Sequence, residues 1–204
     1  MKRFYTDRYL HIRSFSLNVC VMALLCLALY AIRPPEFYHF SFQWWHLALV
    51  PLGIYIGGIS AVFIHNASHN SFPNRLLNEC CGHLSGSHQL WGFMGWKLIH
   101  LVHHHYSDNV GMDPHAPGRY REHWGAGPRT VVMHKAVLAL FLCLVALNIA
   151  FWYMLLGPEA FVFFYIPSYV ANHLLFVDIN YTAHPKDEAT GQTKAANLDH
   201  TLYY

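Results

Sequence analysis

Four runs of apolar residues dominate the chain, at 14–32, 44–64, 137–156 and 160–177. Each is about as long as a helix must be to cross a hydrocarbon core, roughly 20 residues. A polar insert, residues 65–136, separates the runs into two pairs, and the connectors within the pairs are the short stretches RPPEFYHFSFQ and GPE. This pattern predicts an all-α integral membrane protein: a single domain over 1–204 with four transmembrane helices in two hairpins and a cytoplasmic helical cap made by the insert. Pro34 and Pro35 mark the first bend, and Pro51 predicts a kink in the second helix, where Gly53, Gly57 and Gly58 permit close helix packing. Trp44, Trp45, Trp152 and Tyr153 are expected to anchor the spans at the membrane interface. Within the insert, SHQLWGFMGWKL (87–98) carries an aromatic face but is too short to span, so it predicts an interfacial, re-entrant or buried cap helix. Residues 108–129, rich in Pro, Gly and charge, predict coil.

Charge supports the membrane reading and gives it a direction. Only 12% of residues are charged, about half of what an ordinary soluble protein carries. Lys2, Arg3, Arg8 and Arg13 precede the first run, but that run is too long for a signal peptide and lacks a small-x-small cleavage site, so it is expected to be a retained anchor. Twelve of the thirteen Lys and Arg residues lie before the first run, in the insert or after the fourth, and only Arg33 lies in a connector. That asymmetry predicts cytoplasmic termini and a cytoplasmic insert. A net charge of +2 gives no argument for a nucleic-acid partner. Cys20, Cys26 and Cys143 fall inside apolar runs and no CxxC pair occurs, which suits a reducing compartment without a zinc knuckle.

Histidine is the unusual residue. Seven occur in the forty residues from His65 to His104. His65 and His69, at i and i+4 after the second run, share a helix face, and so do His100, His103 and His104 in HLVHH, while His105 is rotated away. Lone histidines such as His11, His39 and His83 are read as ordinary interfacial side chains. Two boxes with helix-face spacing at the edge of an apolar run instead predict metal ligation. No HExxH or ExxH occurs, so neither a zinc-protease base nor a carboxylate-bridged di-iron bundle is indicated. Five or more imidazoles exceed a closed zinc site and suit octahedral iron with open positions. Asn180 and His184, again at i and i+4 after the fourth run, could add ligands from the same side, or could simply end a helix before Pro185.

These residues resemble the membrane-bound fatty acid desaturase superfamily. HNASHNSFPNRLLNECCG is similar to the first box of that family with its downstream Asn and Gly, here Asn78 and Gly82. HLVHHHYSDNVGMDPH resembles the second box followed by Asn109, Asp113 and Pro114, and NYTAH resembles the Asn and His after the last span. The resemblance implies a centre of two iron ions, with O2 as co-substrate, held by His65, His69, His100, His103, His104 and His184 with a weaker role for Asn180. It implies desaturation of a lipid acyl chain taken from the membrane. One departure stands out: the family carries a third box beyond the last span, whereas this sequence reaches NLDHTLYY with only His200, so it is read as stopping short of that box.

Two other functions remain open on the same residues. Carotenoid or other lipid ketolation or hydroxylation would use a similar scaffold. A non-catalytic metal-handling membrane protein would need ionisable or polar ligands at mid-bilayer, and although His173 with Asn172 lies inside the fourth run, no acidic partner accompanies it in any span. A bis-histidine haem on His46 and His173 would leave the boxes without a purpose. For an oxygenase, the absence of a dinucleotide fingerprint or Cys cluster implies an external electron donor, a ferredoxin or small cytochrome.

Overall fold

The computed structural model describes residues 8–106 and 128–183, with side chains placed for 12–105 and 135–176. Among the described residues every element is helical. Helix α1 spans Arg8–Ile32, and single 3-10 turns at Pro35–Tyr38 and Trp44–Ala48 lead into α2, Leu49–Ser68. Two shorter helices follow, α3 at Arg75–His88 and α4 at Phe93–Tyr106, and then α5 at Pro128–Leu156. An α turn at Pro158–Ala160, a π-helical turn at Phe161–Tyr165 and α6 at Ile166–Ala183 complete the order.

Three of these segments, Ile12–Ile32, Trp44–Ser68 and Lys135–Leu156, are long and apolar enough to cross a membrane. Their outward faces carry Leu17, Leu24, Leu27, Leu52 and Leu142, all exposed. Such a surface is stable against lipid and not against water. The fourth apolar run is helical too, but the π turn interrupts it, and Ser168, Asn172 and His173 dilute its hydrophobicity.

The spans do not pack as their order suggests. Helix α1 lies along α5, and α2 along α6, and these are the two most extensive contacts of the bundle. Phe15, Met22 and Leu144 form one core, with Val137, Phe141, Leu147 and Phe151 against it. Both pairs run parallel: Phe15 meets Phe141, the Cys26 thiol reaches the Leu147 carbonyl at 3.4 Å, and Arg33 donates to the Leu155 carbonyl at 3.1 Å. Gly53 and Gly57 bring α2 against the backbone of Phe164 and Ser168, because a glycine has no Cβ to hold the helices apart.

Both connectors meet at one end of the bundle. Tyr38 stacks on Tyr153, Phe42 and His46 pack on Phe163, and the Ser41 N–H donates to the Glu159 carboxylate. Trp44 and Trp45 are exposed there, as interface anchors would be. Trp152 is not an anchor: it is buried, stacked on Tyr165. Pro51 produces no mid-helix kink either, because it falls in the first turn of α2, where an N–H has no intrahelical acceptor to lose.

The insert also differs from its expected form. Residues 87–98 are not one helix but the end of α3, a turn and the start of α4. Leu90 in that turn has φ 62°, a left-handed conformation that a non-glycine residue rarely adopts, and its side chain is buried with Trp152 and Tyr165. Gln89 donates to the Ser60 carbonyl at 3.2 Å, His88 Nε2 lies 2.8 Å from Ser168 Oγ, and Tyr165 donates to the His88 carbonyl at 3.0 Å. The turn is thereby tied to α2 and α6 at once. Of the expected coil at 108–129, Pro128 and Arg129 open α5 and the rest lies outside the described residues.

Candidate metal centre

The first histidine box sits where α2 ends. His65 occupies the last turn, and His69 is the C-cap, at φ −85° and ψ 2°, with its N–H bonded to the His65 carbonyl at 3.3 Å. Asn70 then turns the chain through φ 55°, a conformation Asn tolerates better than other non-glycine residues, and Lys97 of α4 donates to its side chain at 2.9 Å. The path back into α3 is clamped by Asn78. Its Oδ1 accepts the Phe72 N–H at 3.1 Å, and its Nδ2 donates to the carbonyls of Phe72 and Asn74 at 3.2 and 2.8 Å. Asn74 caps α3 by accepting the Leu77 N–H at 2.9 Å.

The second box is carried by α4, whose position follows from Phe93. That ring is fully buried with Ile64, Ala67 and Trp96, and it lies where a Cβ on Gly82 would stand. Trp96 in turn stacks on His100, centroids 4.2 Å apart at 19°. An apolar wedge thus presses α4 against the end of α2 and fixes the ring at its tip.

Four imidazoles converge as a result. His65, His69, His100 and His104 each offer a nitrogen, and these nitrogens all lie within 4.8 Å of one another. His69 Nε2 is 3.2 Å from His100 Nε2, and His104 Nε2 is 3.1 Å from the same atom. Two nitrogens each about 2.1 Å from a shared ion are separated by about 3.0 Å at a right angle and about 3.4 Å at the tetrahedral angle. These two spacings fall between those limits, so His69 and His104 each stand to His100 as ligands of one ion would, and the remaining separations, all within 4.8 Å, need only small ring rotations to close on the same ion. Burial, followed by the neighbouring imidazoles His104, His65, His69 and His103, pushes the pKa of His100 down to about 2. Burial, with His65 and Lys97 adding to it, also lowers that of His69. Both rings are therefore neutral at physiological pH, which is the form whose lone pair can bind a cation.

The other predicted residues divide. His103 is buried, with its ring 5.6 Å from that of His104, and it does not join the four. Relative to His100, a helix turns His104 by about +40° and His103 by about −60°, so the single face expected for all three splits in two. Asn180 belongs to α6, with no placement for its side chain, and His184 lies outside the described residues. Asn78 and Gly82 have clear structural work, one clamping the turn and the other admitting Phe93. His46 is placed by its own connector, where Nδ1 accepts the Gln43 N–H at 2.9 Å and the ring stacks on Phe163. His173 lies ten residues beyond Phe163, about 15 Å along the helix, too far for both rings to clasp one haem.

The register makes a direct prediction. His104→Ala should lower bound metal at least about tenfold, whereas His105→Ala should retain most of it, since even outer-shell losses at metal sites reach that size and His105 is outside the cluster. Mass-spectrometric metal analysis of the two purified variants distinguishes them. Equal losses would show that the α4 register is wrong.

Helical elements throughout the described residues, three helices long and apolar enough to cross a membrane, and an imidazole cluster together define a membrane-associated protein able to hold a metal ion. Comparison with known proteins gives the family: a fatty acid desaturase model matches residues 42–144, which takes in both histidine boxes, and the chain belongs to that family. It is 30% identical over 92 residues to an sn-1 oleoyl-lipid 12-desaturase of Picosynechococcus sp., covering 43% of this chain and 23% of the relative. It is 39% identical over 62 residues to a Sorghum bicolor protein named "Probable fatty acid desaturase DES1", covering 28% of this chain and 16% of the relative. The matched part is thus a quarter or less of these relatives' length. No solved structure matches the chain.

Proposed function

We propose that the chain supplies the metal-binding membrane portion of an oxygen-dependent lipid desaturase. The observation that carries this reading is the convergence of His65, His69, His100 and His104, from two helices and two sequence boxes, in a chain of the desaturase family. Two non-haem iron ions are the proposed cofactor, and they would supply the oxygen activation that lets hydrogen be removed from an unactivated C–H bond. The four clustered imidazoles would hold one ion. His103, which stands apart from the four, would contribute to a second together with Asn180 and His184, with further ligands from other parts of the protein.

The remaining roles belong to the chain itself. Neutral, preorganised imidazoles avoid the cost of deprotonation on metal loading, and the Trp96 stack holds His100 against rotation. A fourth span at 160–177 would complete a four-helix membrane bundle with the imidazole end facing the cytoplasm. There it would meet an external electron donor, a ferredoxin or small cytochrome. The lipid substrate would enter from the bilayer, since a saturated chain gives selectivity only through the shape of an apolar path.

Expression of the protein in a host with a simple fatty acid profile, followed by gas chromatography of total acyl chains, tests this. New double bonds that depend on oxygen and vanish in His65→Ala are expected. Hydroxylated or ketone products would instead establish the alternative oxidation on this scaffold. Bound metal without any oxygen-dependent product would point to metal handling.

A further inference from the structure

A second feature of the bundle lies apart from the histidines. A cavity of about 620 Å³ opens between α1, α3, α4 and α5, within the size range of sites that enclose lipid-sized ligands. Leu17, Val21, Met22, Leu25, Leu144 and Phe151 form its apolar wall. Its polar lining is Arg13, Ser14, Asn18, His83, Ser87 and Asn148. Most of that lining is already satisfied inside the protein. Ser87 donates to Asn148 at 2.6 Å, Asn148 donates to the Leu144 carbonyl at 2.8 Å, and Asn18 donates to the Ser14 carbonyl at 2.9 Å. His83 is held toward its neutral form by burial, with Glu79 pulling the other way.

Two groups are left over, and they are adjacent. Ser14 Oγ is buried with no hydrogen-bond partner, and Arg13 has no carboxylate partner among the described residues. Both belong to the first turns of the membrane-crossing part of α1, the depth at which lipid headgroups lie. From Arg13 to Leu25 the cavity follows α1 for about 18 Å toward the bilayer interior, on the helical rise per residue. A cation and an unpaired hydroxyl at the interface, above a long apolar slot, match a negatively charged headgroup above an acyl chain.

The slot does not reach the imidazoles. Phe93 lines the cavity and is packed in the core with Ile64, Ala67 and Trp96, and Trp96 covers His100. We propose that this cavity is a binding site for an anionic glycerophospholipid, with one acyl chain along α1 and the headgroup phosphate on Arg13 and Ser14, and that this lipid is bound and not chemically altered. The bound chain would fill the space between α1, α3, α4 and α5 and steady α4, which carries the second box. The proposal does not depend on the reaction catalysed.

Native mass spectrometry of the detergent-purified protein, offered phosphatidylglycerol or phosphatidylcholine with identical acyl chains, tests it. Wild type should retain phosphatidylglycerol about fivefold better than phosphatidylcholine, the preference one basic side chain gives near an anionic headgroup. Arg13→Gln should equalise the two lipids. Val21→Trp and, independently, Leu25→Trp should displace both by filling the slot, with helicity by circular dichroism confirming that each variant is folded. His100→Ala should keep the adduct. Undiminished adducts in both folded tryptophan variants, no headgroup preference in wild type, or loss of the adduct in His100→Ala would each overturn the assignment. The last outcome would move the lipid to the imidazole cluster.

Discussion

Replacing His100 with alanine should reduce bound metal to less than about a tenth of the wild-type content, the largest loss of any single substitution in the protein. Its Nε2 is the atom that both His69 and His104 approach, at 3.2 and 3.1 Å, so removing it takes away two edges of the donor polyhedron at once. Because His100 is buried beneath Trp96, the substitution also leaves a void, and the unfolding midpoint must be measured beside the metal content. His104→Ala provides the comparison, since His104 is exposed and its loss leaves no comparable void. Wild-type metal content in a folded His100→Ala protein would rule out the cluster as the metal centre.

The second large effect concerns two neighbouring glycines that a sequence alone treats alike. A Cβ on Gly57 would press into the carbonyl oxygen of Ser168 and stand 3.1 Å from the backbone nitrogen of Asn172, and backbone atoms cannot step aside as a flexible side chain can. Gly57→Ala should therefore lower stability by about 1–3 kcal/mol, as overpacking of a tight interface does. A Cβ on Gly58 would meet only the Leu175 side chain, at an ordinary 3.7 Å. Gly58→Ala should be neutral or stabilising by up to ~1 kcal/mol, from better helix propensity. Denaturant unfolding in mixed micelles reads both. Equal effects would mean that α2 and α6 do not approach each other as described.

Much of this architecture was legible in the sequence, and the failures have physical reasons. Apolar runs of membrane length announced four spans, and three of them are helices long and apolar enough to cross a membrane, because a hydrophobic stretch of that size has few other stable solutions. The i and i+4 spacings of His65 with His69 and of His100 with His104 announced two converging pairs, since that interval fixes neighbours on a helix. The same rule was too generous to His103, where i+3 and i+4 diverge by a full 100° about the axis. Hydrophobicity alone could not show that residues 87–98 contain a chain reversal, which depends on Leu90 accepting a left-handed backbone to bury its side chain. Nor could it show that Trp152 faces inward against Tyr165. The pairing of α1 with α5 and α2 with α6 is a matter of which small residues meet which backbone, and no local pattern encodes that.

That interleaved pairing has a consequence for how the protein is made. The partner of Cys26 is the carbonyl of Leu147, 121 residues further along, so α1 emerges from the ribosome long before its main packing partner α5 exists. Helix α2 likewise waits for α6. The two halves cannot mature one after the other as independent hairpins, and both histidine boxes are synthesised before either helix pair can close. Closure of the two long helix pairs is therefore a late step in the bilayer. The imidazoles are gathered by a different and more local contact, the packing of Phe93 and Trp96 on Ile64 and Ala67, so the metal centre is encoded within residues 64–104 and its assembly is separate from closure of the long helix pairs.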